Sequence, residues 1–285
     1  LSISETVKAL KETGDDFEIG ILLTESLSSA LAFRLAGVTN IYGYTANARS
    51  LLFKSPATHD SKKIHRSESY IRLVRHATMK FWANPYWVED VVFGSPDIYL
   101  RDSETVAARG ILKRHDIDEN IPFVAIAPRA VAESRRWGVD NYAELSRKII
   151  TKLDIKVVLI GSADDREFAE MVCESVGDGA INFCNRFKIR GTAAILTLAG
   201  AFVGNDSGLA HLAALASVPA VVISGPDDPE VTSPLSARKI VLRRAELECI
   251  SCVKNICPLK GEKRMLCMRK IAVDDVFGAL QSLLK

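Results

Sequence analysis

Runs of Val, Ile, Leu, Ala and Phe recur along the chain, and most are continuous rather than alternating. FEIGILLT (17–24), FVAIAP (123–128), KVVLIGS (156–162), GAFVGND (200–206) and PAVVISG (219–225) each end at a Gly, Pro, Ser, Thr or Asp. A run without polar interruption suits a strand covered on both faces, as in a parallel sheet. Between these runs, stretches 26–36, 67–82, 140–153, 164–176, 192–199 and 207–217 read as helices, as does the closing amphipathic VDDVFGALQSLL (273–284). Strands alternating with helices predict βαβ units and a doubly wound α/β fold. The polar, helix-like stretch 101–119 is the expected link between two domains, placed at 1–118 and 119–285. The first residues read as helix or loop, so the N-terminal domain is expected to lack its opening βα unit.

A chain of 285 residues with 48% hydrophobic content has room for two cores. Its 37 basic and 35 acidic residues nearly cancel, which excludes a global field for nucleic acid. The longest apolar stretch, 212–225, is broken by Pro219 and is too short to span a bilayer. No basic and then apolar leader opens the chain, and four of six cysteines crowd near the C-terminus. Both features lead us to expect a cytoplasmic, reducing setting, with which peripheral contact at the inner membrane is compatible.

Three constellations carry candidate chemistry. In FVGNDSGLAHLAAL (202–215) a strand ends at Asn205-Asp206 and a helix starts at Ser207 or Gly208. Open α/β sheets bind ligands at such carboxyl ends, and a helix start offers free N–H groups to a phosphate. Gly208 lets a ligand approach the backbone, and His211 lies one turn after Ser207 on the same face. The plainer alternative makes Asp206 an N-cap and His211 a half-buried histidine. The second constellation is the loop after 123–128, with Arg129, Arg135 and Arg136, then a helix for which Asp140 is the expected cap. Forked guanidiniums at a strand end suit a diphosphate; a solvated basic loop over Trp137 is the alternative. The third is Cys249, Cys252, Cys257 and Cys267, spaced C-x2-C-x4-C-x9-C. These thiols read as a structural metal site, with zinc as the default and Pro258 after Cys257 leaving iron–sulfur chemistry open. A reduced or partly disulfide-bonded loop is the alternative.

Together these segments resemble glycosyltransferase family 9, the ADP-heptose–lipopolysaccharide heptosyltransferases, from about residue 18 to the C-terminus. FVGNDSGLAHLAALASVPAVVISGPDDPEVTSPLS (202–236) is the most specific piece, and its last part looks most like the heptosyltransferase II branch. RRWGVDNYAEL (135–145), SLSSALAFRLAGVTNIYGYTANARSLL (26–52), HRSESYIRL (65–73) and the cysteine cluster also have family counterparts. The resemblance implies a GT-B fold, two Rossmann-like domains facing across a cleft, with the nucleotide sugar on the C-terminal half. It implies inverting transfer of heptose from ADP-heptose to the lipopolysaccharide inner core, with no catalytic metal. Carried onto this sequence, amides at Ser207 and Gly208 hold the diphosphate, and Asp206 and His211 line the sugar side. Arg135 stands where the family has a phosphate-binding Lys, Ser134 precedes it in the donor loop, and Asp164 or Asp165 is a candidate for the ribose. Two departures stand out. The family's Pro-Gly-Ala is Pro128-Arg129-Ala130 here, and the family's Asp base lies in a loop that precedes Leu1, so no residue of this chain is named as the base.

These departures sustain a second expectation, a GT-B relative that holds a nucleotide sugar without transferring it. A metal-knuckle nucleic-acid binder is opposed by near-neutral charge and by the lack of aromatics interleaved with the cysteines. A nicotinamide oxidoreductase is opposed by the lack of any G-x-G-x-x-G after a strand.

Overall fold

A computed structural model of the chain describes residues 2–46, 48–59, 63–82, 97–118 and 122–285. It divides into two compact units, Leu1–Val92 and Phe93–Lys285.

The first unit runs α1 (Ile3–Glu12), β1 (Ile19–Leu22), α2 (Leu27–Leu35), β2 (Asn40–Gly43) and α3 (Arg66–Trp82). Ser2 and Glu5 start α1 reciprocally: Ser2 Oγ accepts the Glu5 N–H, and the Glu5 carboxylate accepts the Ser2 N–H. Strands β1 and β2 pair in parallel, Ile19 opposite Asn40 and Leu22 opposite Gly43. Leu22, Ala30, Val38, Ile41 and Phe53 form the core over this ribbon. Gly43 is required by packing, since a Cβ there would lie 2.7 Å from the Phe53 ring. Arg49, within the family-like stretch 26–52, is fully buried. Its guanidinium donates to the carbonyls of Thr24 and Tyr44 and lies 5.3 Å from the Phe53 ring centre.

In the second unit the strands are β3 (Phe123–Ala127), β4 (Lys156–Leu159), β5 (Ala180–Asn182), β6 (Ala201–Asn205), β7 (Ala220–Ile223) and β8 (Lys239–Leu242). Its helices are α4 (Asp102–Lys113), α5 (Val139–Leu153), α6 (Arg166–Val176), α7 (Ile189–Leu196), α8 (Gly208–Leu215), α9 (Pro229–Thr232), α10 (Leu266–Arg269) and α11 (Val273–Leu284). All five strand pairings are parallel, in the order β5-β4-β3-β6-β7-β8. Alternate residues of each strand point to opposite faces, which explains the unbroken apolar runs. Phe123, Ala125, Val158 and Phe202 pack with α4, α7 and α8, while Val124, Ile126, Val157 and Val203 pack with α5, α6 and α11. The expected doubly wound fold is present.

The division between units falls earlier than the boundary expected at 118/119. Helix α4 is the reason: its buried Ala108 and Leu112 join Phe123 and the α7 alanines in one core. Its Glu104 also pairs with Arg190 of α7. The polar surface of 101–119 conceals an apolar stripe that belongs to the second unit.

Candidate donor-binding site

The chain winds from β3 outward through β4 to β5, then returns to the far side of β3 as β6. The loops after β3 and β6 therefore leave adjacent strands in opposite directions, at the topological switch point where such sheets bind ligands.

On the β6 side, Asn205 and Asp206 are buried, Ser207 is half-buried, and Gly208 and His211 are exposed. Ser207 is the N-cap of α8, with extended backbone and no side-chain hydrogen bond to the helix. Asp206 is not a cap; its carboxylate accepts from Ser224 Oγ at 3.2 Å. Burial, and then the neighbouring Asp227 carboxylate, push Asp206 up to about 6, against the pull of Ser224, Arg135 and Thr232. A Cβ at Gly208 would meet nothing within 4 Å, and no positive φ sets this residue apart. Neither packing nor backbone strain requires a glycine here.

The loop after β3 is tied to its neighbours on every side. Trp137 donates its backbone N–H to Asn205 Oδ1 at 3.2 Å and its indole N–H to the Ile271 carbonyl at 2.8 Å. Arg129 donates to Asp165 Oδ1 at 3.0 Å, linking the ends of β3 and β4. Arg136 donates to the carbonyls of Ala130 and Val131 in its own loop. Arg135 grips the buried Asp227 through Nε and Nη2, with Nη2 to Oδ1 at 2.8 Å, and its Nη1 reaches Asn255 Oδ1 at 3.1 Å. Ser134 is buried, its Oγ on the Lys254 carbonyl at 2.5 Å and its N–H on the Asn255 carbonyl at 3.1 Å. The three arginines expected to face a diphosphate thus each have protein partners. Asp164 is exposed on the turn after β4, whereas Asp165 points its carboxylate back at Ser162. The expected cap Asp140 lies inside the first turn of α5; the N-cap is Gly138, at φ +110°, without a side-chain bond.

Cys249, Cys252, Cys257 and Cys267 line one cavity of about 60 Å³, beside Ser134 and Pro226. Four thiols suit zinc in donor chemistry. Their spacing does not: among the described residues no three His, Cys, Asp or Glu side chains are grouped closely enough to hold a metal ion.

Asp227 and Asn255 are the site residues that sequence reasoning missed. Both lie far along the chain from Arg135. The available signal was a doubled acid directly after a buried strand, GPDDP (225–229).

Comparison with known proteins gives the chain's relatives. Lipooligosaccharide heptosyltransferase 2 of Haemophilus influenzae is 25% identical over 254 residues, covering 84% of this chain and 69% of that protein. Lipopolysaccharide heptosyltransferase 2 of Salmonella typhimurium is 32% identical over 127 residues, covering 43% of this chain and 36% of that one. The solved family 9 glycosyltransferase of Veillonella parvula shares the fold at TM-score 0.80 and 19% identity, over 99% of this chain and 78% of that one. ADP-heptose LPS heptosyltransferase II of E. coli does so at TM-score 0.75 and 24% identity, over 99% and 81%. The model of glycosyltransferase family 9 (heptosyltransferase) matches residues 4–263, nearly the whole chain, and the chain belongs to that family.

Proposed function

We propose that this chain is an inverting glycosyltransferase that moves a heptose from ADP-heptose to the lipopolysaccharide inner core. The observation that carries the reading is the start of α8 at the switch point: no side chain caps it, and the glycine there is left open by the protein. Backbone N–H groups and the positive end of the helix dipole attract the donor's diphosphate. Asp206 and His211, at the end of β6 and one turn into α8, take the sugar side. Asp164 at the end of β4 is the candidate for the ribose. The donor diphosphate is thereby held by fixed amides, and charge developing on the leaving nucleotide meets dipoles already in place. The relatives' names, lipooligosaccharide and lipopolysaccharide heptosyltransferase 2, support the heptose donor and the core acceptor.

We read the transfer as needing no catalytic metal. A structural zinc at the four thiols is a separate proposal, and it requires them to close on one point. Among the described residues no helix is long and apolar enough to cross a membrane, and we propose a cytoplasmic enzyme that meets its acceptor at the inner-membrane face.

Calorimetric titration with ADP, UDP and GDP tests the donor site, and mass-spectrometric detection of a heptosylated core acceptor tests the reaction. Selective ADP binding with product supports the proposal. ADP binding without product would leave a nucleotide-sugar binder, and no ADP binding would remove the donor assignment.

A further inference from the structure

The cysteine-rich loop is a family-like segment for which the proposed function has no use, yet its contacts lead directly to Arg135. Asn255 Oδ1 accepts from Arg135 Nη1, and the backbone carbonyls of Lys254 and Asn255 accept from Ser134, the residue before it. Val253 donates its N–H to the Pro226 carbonyl at 2.9 Å, which fixes the loop beside Asp227. Asp227 holds the opposite edge of the guanidinium with both oxygens. We propose that Asp227 and Asn255 are positioning residues that clamp Arg135 from two sides, making the thiol loop a part of the donor site.

Arginine is a planar fork, and two acceptors on different edges fix both its plane and its rotation. With Nε, one Nη2 hydrogen and one Nη1 hydrogen engaged, one hydrogen on each terminal nitrogen is left for a further acceptor. An acid beside a diphosphate site repels the ligand if it acts alone. The clamp therefore makes an unusual prediction: removing the negative charge of Asp227 weakens the binding of an anion. In Asp227→Asn an amide donor faces the Arg135 donors, and the fork turns away.

The donor-site consequence rests on the function proposed above, so the test separates the two. ADP affinity is measured for the wild type, Asp227→Asn, Asn255→Ala, Arg135→Ala and the two doubles with Arg135→Ala. The clamp predicts about a tenfold loss in Asp227→Asn and about a threefold loss in Asn255→Ala. Neither substitution should weaken binding further once Arg135 is Ala, because both act through it. Equal losses in the two backgrounds, or tighter binding in Asp227→Asn, would overturn the clamp. Asn255 is exposed, so that arm stands even if Asp227→Asn folds poorly. A second readout needs no ligand. The Arg135 Nε–H resonance, assigned by its loss in Arg135→Lys, should show slowed guanidinium rotation in the wild type and faster rotation in Asn255→Ala. Fast rotation in the wild type overturns the clamp, and failure of the wild type to bind ADP overturns only the donor assignment.

Discussion

Replacing Asp206 with Asn is expected to stabilise the second unit above neutral pH while weakening the handling of the sugar. Asp206 is 7% exposed, and burial with the Asp227 carboxylate nearby pushes its pKa up to about 6. In the unfolded chain an aspartate titrates near 3.9. Folding thus raises its proton affinity, and between about pH 4 and pH 6 the folded state binds more protons than the unfolded one. Stability contributed by this group is present at low pH and is lost as pH rises through 6. A displacement of that size is worth about 3 kcal/mol once the group is fully ionised. The Asn variant keeps an oxygen for Ser224 Oγ and removes the charge, so its gain over wild type should grow from nearly nothing at pH 4 to about 1–3 kcal/mol at pH 8. Urea unfolding from pH 4 to pH 8, followed by fluorescence of the buried Trp137 with Trp82 and Trp87 replaced by Phe in both proteins, reads the difference. A pH-independent gap, or a variant less stable than wild type at pH 8, would refute the reasoning.

Gly208→Val should weaken ADP binding while the fold survives, because a Cβ there meets no protein atom within 4 Å; unchanged titration isotherms would return this turn to an ordinary helix start. Arg135→Ala should weaken ADP binding about ten- to a hundredfold and also lower the melting temperature, since it leaves Asp227 buried without its cation. Maleimide should label the exposed Cys249 and Cys252 first and Cys184 last, because burial pushes the Cys184 thiol up to about 12 and Cys173 up to about 11; peptide mapping over time gives the order. If the thiols hold zinc, protein purified without chelator carries about one zinc per chain and Cys252→Ser loses it; metal-free protein would leave a loop of free thiols.

The central strands were legible because both their faces are covered. Phe123–Ala127, Ala201–Asn205 and Ala220–Ile223 are buried at every position, and continuous apolar runs are what such burial demands. The edges were not legible: Ala180–Asn182 and Lys239–Leu242 are short and only half-buried throughout. Their sequences carry neither alternation nor a long run. At the site, the strand-turn-helix of 201–215 reads directly from local pattern. The partners of Arg135 do not, because Asp227 and Asn255 lie 92 and 120 residues away, and no periodicity encodes a contact at that separation. Arg129, where the family has a glycine, illustrates the same limit: only the fold shows its partner to be Asp165.

The loop after β3 is held at once by Asn205, Asp165, Asp227 and Asn255, each supplied by a different segment of the chain. In evolutionary terms this makes the loop a point of epistasis. A substitution at Arg135 that loses the fork leaves an acid stranded at 227, so the two positions are expected to drift together rather than singly. The same holds for 129 with 165. Among descendants of this sequence, replacements at Asp165, Asp227 and Asn255 should appear in pairs with changes at 129 and 135. Asn205, which serves a backbone N–H, is indifferent to the residue at 137, and positions such as Val131, whose side chain is exposed, vary freely.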